Sequence, residues 1–210
     1  MRALLFALLV ACGGGPTPPE RTNPAPFGAD APPAALQPGD PVPPLTLTDV
    51  DGGVVSLADL QGAPVVLEFF NPDCPFVDHA HSRGLLAELP ETWAARGVAW
   101  IAVNANRPGT NGSGMGRNQR AGRSHDLPRP VVLDESGVVA RAFGAKVTPT
   151  LAILDGAGRV AYLGGPDNAP MGQAEGGTVR DFTTPVLEAL VSGAPAPFSR
   201  QKAYGCTIKF

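Results

Sequence analysis

A chain of 210 residues, 43% of them hydrophobic, can bury one core of ordinary domain size and has no room for two large domains. Its net charge is −3 and no stripe of Lys or Arg runs through any segment, which sets nucleic-acid binding aside. The 24 prolines and 26 glycines exceed what a compact fold uses, but they crowd the N-terminal region, so much of the excess belongs outside the domain.

In chain order, Arg2 precedes the apolar run ALLFALLV and a few small residues, the pattern of an export signal and too short for a lasting membrane span. The string LVAC at residues 9–12 resembles the bacterial lipobox, where cleavage precedes a cysteine that becomes lipid-modified. The resemblance implies a signal peptide at residues 1–11, lipidation at Cys12 and an exported bacterial lipoprotein on the periplasmic side of a membrane. An ordinary secretory signal with Cys12 incidental is the alternative. Residues 12–40 are rich in Pro and Gly with no hydrophobic period, as in a tether, whose proline-rich leash of roughly 25 residues spans up to about 80 Å if extended at about 3.1 Å per residue. With Cys12 used by lipid, Cys74 and Cys206 remain in a compartment where disulfides persist, and they are a candidate pair.

A domain is expected at residues 41–193. LTLTDVDGGVVSL alternates around Asp-Gly-Gly, the signature of a β-hairpin, and ADLQG is a brief helical turn ended by Gly62. PVVLEFF is a nearly continuous apolar run that fits a strand buried on both faces. From Pro75 to Gly97, residues Phe76, Leu85, Leu86, Leu89 and Trp93 form a helical stripe interrupted near Pro90. VAWIAVN is a second buried strand and completes a βαβ unit. RPGTNGSGMG reads as a flexible surface loop leading into a short helix at residues 118–126; Arg117 stands where a phosphate-binding G-x-G-x-x-G needs its last glycine. PVVLD is a short strand, SGVVARAFG a short helix, and TLAILDGAGRVAYLGG a hairpin turning at Asp155-Gly156. The final helix lies in VRDFTTPVLEALVSG, with a restart available at Thr184-Pro185. Residues 194–210 form an extended tail carrying Cys206. This order gives an α/β class: a mixed sheet flanked by helices, parallel in its first half and antiparallel in its second.

NPDCPFVDHAH places Cys74 between a buried strand and the next helix, at a helix N-terminus whose free N–H groups and dipole favour a thiolate. Asp73 and Asp78 oppose that effect by like charge. From these residues alone Cys74 is a redox nucleophile, a metal ligand with His79 and His81, or a buried thiol. C-x₄-H-x-H offers ligands suited to copper or zinc. Residues two apart on a helix, however, point about 200° from each other, so the two histidines cannot share one ion and are expected to face solvent.

VVLEFFNPDCPFV followed by a helix, then VTPT and a hairpin, resembles the thioredoxin-like superfamily, in particular its redoxin or AhpC/TSA branch of exported bacterial proteins, over residues 45–193. The ending YGCTIKF resembles those of some members with a single motif cysteine. The resemblance implies a thioredoxin-like fold with an N-terminal β-hairpin extension, and thiol–disulfide exchange without a cofactor. Cys74 matches the first, attacking cysteine of C-x-x-C. Val77 stands where the resolving cysteine belongs, so a mixed disulfide on Cys74 is resolved from elsewhere or waits for an external thiol. Cys206 is the remaining candidate in the chain, on a tail long enough to run back along the domain surface toward the sheet edge. A reversible redox pair, a permanent structural disulfide and two unrelated thiols all stay open. Thr148-Pro149 matches the family's cis-proline, whose loop faces the active cysteine and, with Pro75 and Phe76, meets substrate. Glu68 matches a buried carboxylate that aids proton transfer; a half-exposed strand glutamate is the alternative, because the thiol it would serve is replaced by Val77.

Other functions remain. A peroxiredoxin site requires P-x-x-x-[TS]-x-x-C, and Leu67 and Asn71 fill the first two defined positions, so thiol peroxidase activity ranks below exchange. Copper-delivery relatives use C-x-x-x-C and a distant histidine; Asp78 replaces their second cysteine and His125 is the distant candidate, so no metal site is expected. A redox-inert binding module with a structural Cys74–Cys206 bond is a third alternative. The expected partners are a disulfide-containing or oxidised-thiol protein or small molecule and, through the lipid anchor, a membrane.

Overall fold

Residues 35–124, 130–174 and 176–210 are described by the computed structural model. Strands β1 (Thr46–Thr48) and β2 (Val54–Ser56) form the expected antiparallel hairpin. Its turn is built by Asp49, whose Oδ1 accepts the N–H groups of Asp51 and Gly53 at 2.8 and 2.7 Å, an Asx turn that Gly52 completes at φ +90°.

The central sheet has five strands. β3 (Val65–Phe69) is buried along its whole length, as an apolar run without alternation requires. It pairs in parallel with β4 (Ala99–Asn104), and β4 in parallel with β5 (Val131–Leu133). On its other side it pairs antiparallel with the strand Thr150–Leu154, here β7, which continues antiparallel into β8 (Val160–Gly164). The order is β5-β4-β3-β7-β8. The pair β6 (Val147–Thr148) and β9 (Cys206–Thr207) forms a separate antiparallel ribbon.

Helices cover both faces: α1 (Pro75–Ser82), α2 (Leu89–Ala94), α3 (Met115–Ser124), α4 (Val138–Ala142) and α5 (Thr183–Val191). Successive side chains of β3 point to opposite faces. Val65, Leu67 and Phe69 join Ile101, Val103 and Phe143 in one core, while Val66 joins Trp93, Trp100, Ile153 and Val186 in the other. Glu68 therefore faces the same side as Val66.

Three sequence expectations shift. The helical stripe after Cys74 breaks at residues 83–88, where Gly84 N–H closes α1 by donating to His79 O at 2.8 Å; Pro90 lies in the first turn of α2, where a missing N–H costs nothing. α3 begins at Met115, three residues earlier than expected, and residues 125–126 of that expectation lie outside the described residues. α5 begins at Thr183, one residue before the anticipated restart at Thr184-Pro185.

Packing against the domain starts before residue 41: Leu36 N–H donates to Ala142 O and Gly39 N–H to Val160 O, both at 2.7 Å. The expected signal peptide, Cys12, residues 12–34 of the tether and His125 lie outside the described residues. No helix among the described residues is long and apolar enough to cross a membrane.

Candidate active site

The turn between β3 and α1 sets Cys74. Asn71 O accepts Cys74 N–H at 3.0 Å and Asn71 Oδ1 accepts Asp73 N–H at 2.8 Å. Cys74 is thereby the N-cap of α1, in extended conformation, with Pro75 as the first helical residue. Its sulfur is bonded to Cys206, with 5.9 Å between the Cα atoms, and lies 3.4 Å from Thr148 O. The Thr148-Pro149 peptide is cis. Five of the residues singled out in the sequence, Cys74, Pro75, Thr148, Pro149 and Cys206, thus meet in one place, and Cys74 is only 1% exposed. Thr148 Oγ1 is buried there with no hydrogen-bond partner among the described residues.

The tail reaches this place through contacts on both sides of Cys206. Leu163 N–H donates to Ser199 O, and Gln201 N–H to Leu163 O, each at 3.1 Å. Tyr204 Oη donates to Asp167 Oδ1 at 2.7 Å, and the Tyr204 ring packs on Phe76 with 6.1 Å between centroids. Burial, then the hydrogen bond and charge of Asp167, push the Tyr204 hydroxyl far above the usual phenol range. Beyond Cys206, Ile208 N–H donates to Lys146 O at 2.9 Å and the Ile208 side chain enters the main core, 4% exposed. Lys209 N–H donates to Asn106 Oδ1 at 3.0 Å, Arg107 N–H to Lys209 O at 2.7 Å, and the Arg141 guanidinium lies 4.8 Å from the Phe210 ring centroid.

Glu68 is fully buried, which excludes the half-exposed alternative. Its Oε1 is 2.6 Å from His81 Nε2 and its Oε2 accepts Trp100 Nε1–H at 2.9 Å. Both oxygens are committed, and no hydrogen bond joins Glu68 to either cysteine among the described residues. The expectation that both histidines face solvent is overturned for His81, whose side chain is 5% exposed. Val77, Ala80 and His81 fall at i, i+3 and i+4 on the inward stripe of α1, which delivers the imidazole to Glu68. Burial by itself lowers the His81 pKa, but the Glu68 charge and hydrogen bond, with a smaller contribution from Asp78, hold it above the usual 6.5. His79 instead faces Gly172. No group of three or more His, Cys, Asp or Glu side chains among the described residues is arranged to hold a metal.

Sequence reading missed what surrounds Cys74. The glycine-rich loop is tied to its surroundings by side-chain hydrogen bonds. Asn104 Nδ2 donates to Gly112 O and to Asn118 Oδ1, both at 2.8 Å, and Asn118 Nδ2 donates to Gly112 O and Gly114 O. Asn106 donates to Asn104 Oδ1 through both its N–H and its Nδ2 at 2.9 Å, and Asn71 Nδ2 donates to Asn111 O at 3.2 Å. Asparagines at the ends of two strands, in the loop and on α3 thus form one network that also receives the tail at Lys209. Arg117 donates to Asp73 Oδ1 through Nε at 2.8 Å and Nη2 at 2.6 Å, and to Pro72 O at 2.8 Å. The Asp73 charge expected to oppose a Cys74 thiolate is therefore paired. The only forewarning in the sequence is the density of Asn between residues 104 and 118. For the peroxiredoxin alternative, Leu67 sits in the core and the Asn71 amide is occupied, so no hydroxyl takes that motif's place.

The sequence pattern of the Redoxin family matches residues 37–177, more than half of the chain. The chain belongs to the redoxin family. This redoxin is 30% identical over 119 residues to the thiol-disulfide oxidoreductase ResA of Halalkalibacterium halodurans, across 56% of this chain and 62% of that protein; it spans less than two thirds of that relative's length. Among solved structures, an uncharacterized conserved protein of Geobacillus kaustophilus matches with a TM-score of 0.72 and 31% identity, across 82% of this chain and 92% of that one. A protein assigned as the thiol:disulfide interchange protein DsbE of Chlorobium tepidum matches with a TM-score of 0.52 and 25% identity, across 61% of this chain and 85% of that one. The redoxin's five-stranded mixed sheet with flanking helices is the thioredoxin-like α/β fold that the sequence implied.

Proposed function

We propose that this redoxin is an extracytoplasmic thiol–disulfide oxidoreductase in which Cys74 attacks and Cys206 resolves. The observation that carries the reading is the meeting of Cys206 with Cys74 beside the cis Thr148-Pro149 peptide: Val77 removes the neighbouring resolving thiol and the tail supplies one. In the reducing direction, the Cys74 thiolate attacks a substrate disulfide, forming a mixed disulfide and releasing one substrate thiolate. Cys206, as thiolate, then attacks Cys74 Sγ and expels the second substrate thiolate. Two electrons pass to the substrate, and an external dithiol restores Cys74 and Cys206. The N-terminus of α1 stabilises the Cys74 thiolate, and the Arg117–Asp73 pair removes a neighbouring negative charge. Pro75, Phe76, Thr148 and Pro149 face the substrate. Glu68 acts as a positioning residue, holding α1 to the sheet through His81.

The N-terminal pattern supports a signal at residues 1–11, a lipid on Cys12 and a tether over residues 12–40 that holds the domain to the periplasmic side of a membrane. The resulting partners are a disulfide-containing or oxidised-thiol substrate and a lipid surface. Incorporation of labelled fatty acid, lost in Cys12→Ser, tests the anchor.

A second reading, a binding module with a structural disulfide, is favoured by the burial of Cys74 and the anchoring of the tail on both sides of Cys206. Graded reduction followed by alkylation and mass spectrometry separates the two. The redox reading expects Cys74–Cys206 to equilibrate with glutathione or dithiothreitol, Cys206→Ser to trap a mixed disulfide on Cys74, and Cys74→Ser to lose disulfide reduction. A reduction potential below about −300 mV with no mixed disulfide establishes the structural bond instead.

A further inference from the structure

We propose that the C-terminal segment Tyr204-Gly205-Cys206-Thr207-Ile208 occupies the binding site of an extended, cysteine-bearing protein substrate and carries the pattern that such a substrate must present. The proposal rests on the reading of Cys74 as the attacking thiol and specifies what that thiol accepts. Cys206 is bound to Cys74 as the cysteine of a substrate in mixed disulfide would be. Its backbone adds a strand to the β6 edge, in register with Thr148, which is how a folded domain takes up an extended peptide while pockets for side chains set specificity.

Each position around Cys206 meets a different demand. Two residues before it, Tyr204 is read by a buried carboxylate, Asp167, and by the Phe76 ring; an aromatic residue with a donor hydroxyl satisfies both. One residue before it, Gly205 holds φ at +126°, and a Cβ there would fall on the Thr148 carbonyl oxygen, so only glycine passes. One residue after it, Thr207 is exposed and sets no demand. Two residues after it, Ile208 fills a socket in the main core, which takes an aliphatic side chain. With the tail lifted, Asp167, Phe76, the β6 edge and this socket are open beside Cys74. The fitting partner is an extended segment of the form Tyr-Gly-Cys-x-aliphatic, and substrate and tail alternate on one edge.

The test uses the full chain carrying Cys206→Ser and the peptide AYGCTIKF with its thiol capped as a disulfide with thionitrobenzoate. Cys74 attacks the peptide sulfur, the Cys74–peptide disulfide forms, and thionitrobenzoate, the more acidic thiol, leaves as a coloured anion whose release gives the rate. Peptides carrying the changes Gly205→Ala or Ile208→Ser are expected to react about tenfold more slowly each. The same series is run on Cys206→Ser/Ile208→Ser protein, whose own tail is loosened; there the rates rise and the order of peptides holds. Equal rates for all peptides in both proteins overturn this proposal and leave Cys74 as an unselective nucleophile. No thionitrobenzoate release from any peptide, or from the symmetric disulfide of thionitrobenzoate, overturns the reading of Cys74 itself.

Discussion

Cys206 is the register partner of Thr148, whose following peptide bond to Pro149 is cis, and that pairing places Cys206 against Cys74 with 5.9 Å between their Cα atoms. The bond is therefore one contact among several. Hydrogen bonds at Leu163 and Asp167 before Cys206, and at Lys146 and Asn106 after it, hold the same segment. While the tail is docked, these contacts keep Cys206 at high effective concentration beside Cys74.

Loosening the tail should therefore make the disulfide easier to reduce. Ile208→Ser removes a buried aliphatic side chain that contributes roughly 2 kcal/mol. Where all of that is lost from tail docking, the Cys74–Cys206 potential rises by about 40 mV. Redox titration against glutathione or dithiothreitol measures it, and an unchanged potential would show that docking does not set the thiols' proximity.

Removing the guanidinium beside Asp73 should make Cys74 a weaker nucleophile near neutral pH. In Cys206→Ser protein, Arg117→Ala leaves the Asp73 carboxylate, one residue before Cys74, without its guanidinium and raises the Cys74 pKa, by an amount limited because the ion pair is partly solvated. Alkylation rate against pH gives the value directly; coincident profiles for the two proteins would rule out an electrostatic role for Arg117.

The Glu68–His81 pair predicts a particular slope of stability with pH. Because the folded-state pKa of His81 is raised, the pair's contribution is complete below the unfolded value of about 6.5 and is lost as pH rises through the folded value. Melting temperature should thus fall across that window. Glu68→Gln costs about 3 kcal/mol and reverses the slope, because burial alone lowers the His81 pKa. Thermal unfolding at several pH values tests both signs, and a parallel slope in wild type and variant would contradict them.

Thr148→Val should stabilise the oxidised protein. The Thr148 hydroxyl is buried without a partner among the described residues, so replacing it by an isosteric methyl removes a desolvated polar group worth about 1 kcal/mol. Thr148→Ser keeps the hydroxyl and lacks that gain. A lower melting temperature for the valine variant would mean that the hydroxyl has a partner in solution.

Several elements are legible in the amino-acid order itself. β3 and β4 are recognisable as strands because burial on both faces leaves nearly continuous apolar runs, β7 because it opens a hairpin at Asp155-Gly156, and Cys74 is recognisable as a helix N-cap because a strand ends and a helix begins around it. The burial of His81 is not legible, because hydrophobic periodicity scores an imidazole as polar, while its partner Glu68 sits on a strand 13 residues away in sequence. The network of Asn71, Asn104, Asn106 and Asn118 leaves no periodic trace, since carboxamides satisfy backbone groups wherever the fold brings them.

The fold family, the position of Cys74, the missing thiol at Val77 and Cys206 as the remaining candidate partner all follow from the order of residues. Hydrophobic period and cap residues, which are local properties, suffice for the position of Cys74; the fold family and the missing thiol at Val77 come from the resemblance of the chain's motifs to thioredoxin-like sequences. That a cysteine 132 residues away arrives at Cys74 is instead a property of the folded chain. The arrival depends on backbone hydrogen bonds at Leu163, Thr148 and Lys146, on a glycine at Gly205 where the tail crosses the Thr148 carbonyl, and on a socket for Ile208 in the core, partners that become neighbours only once the chain has folded.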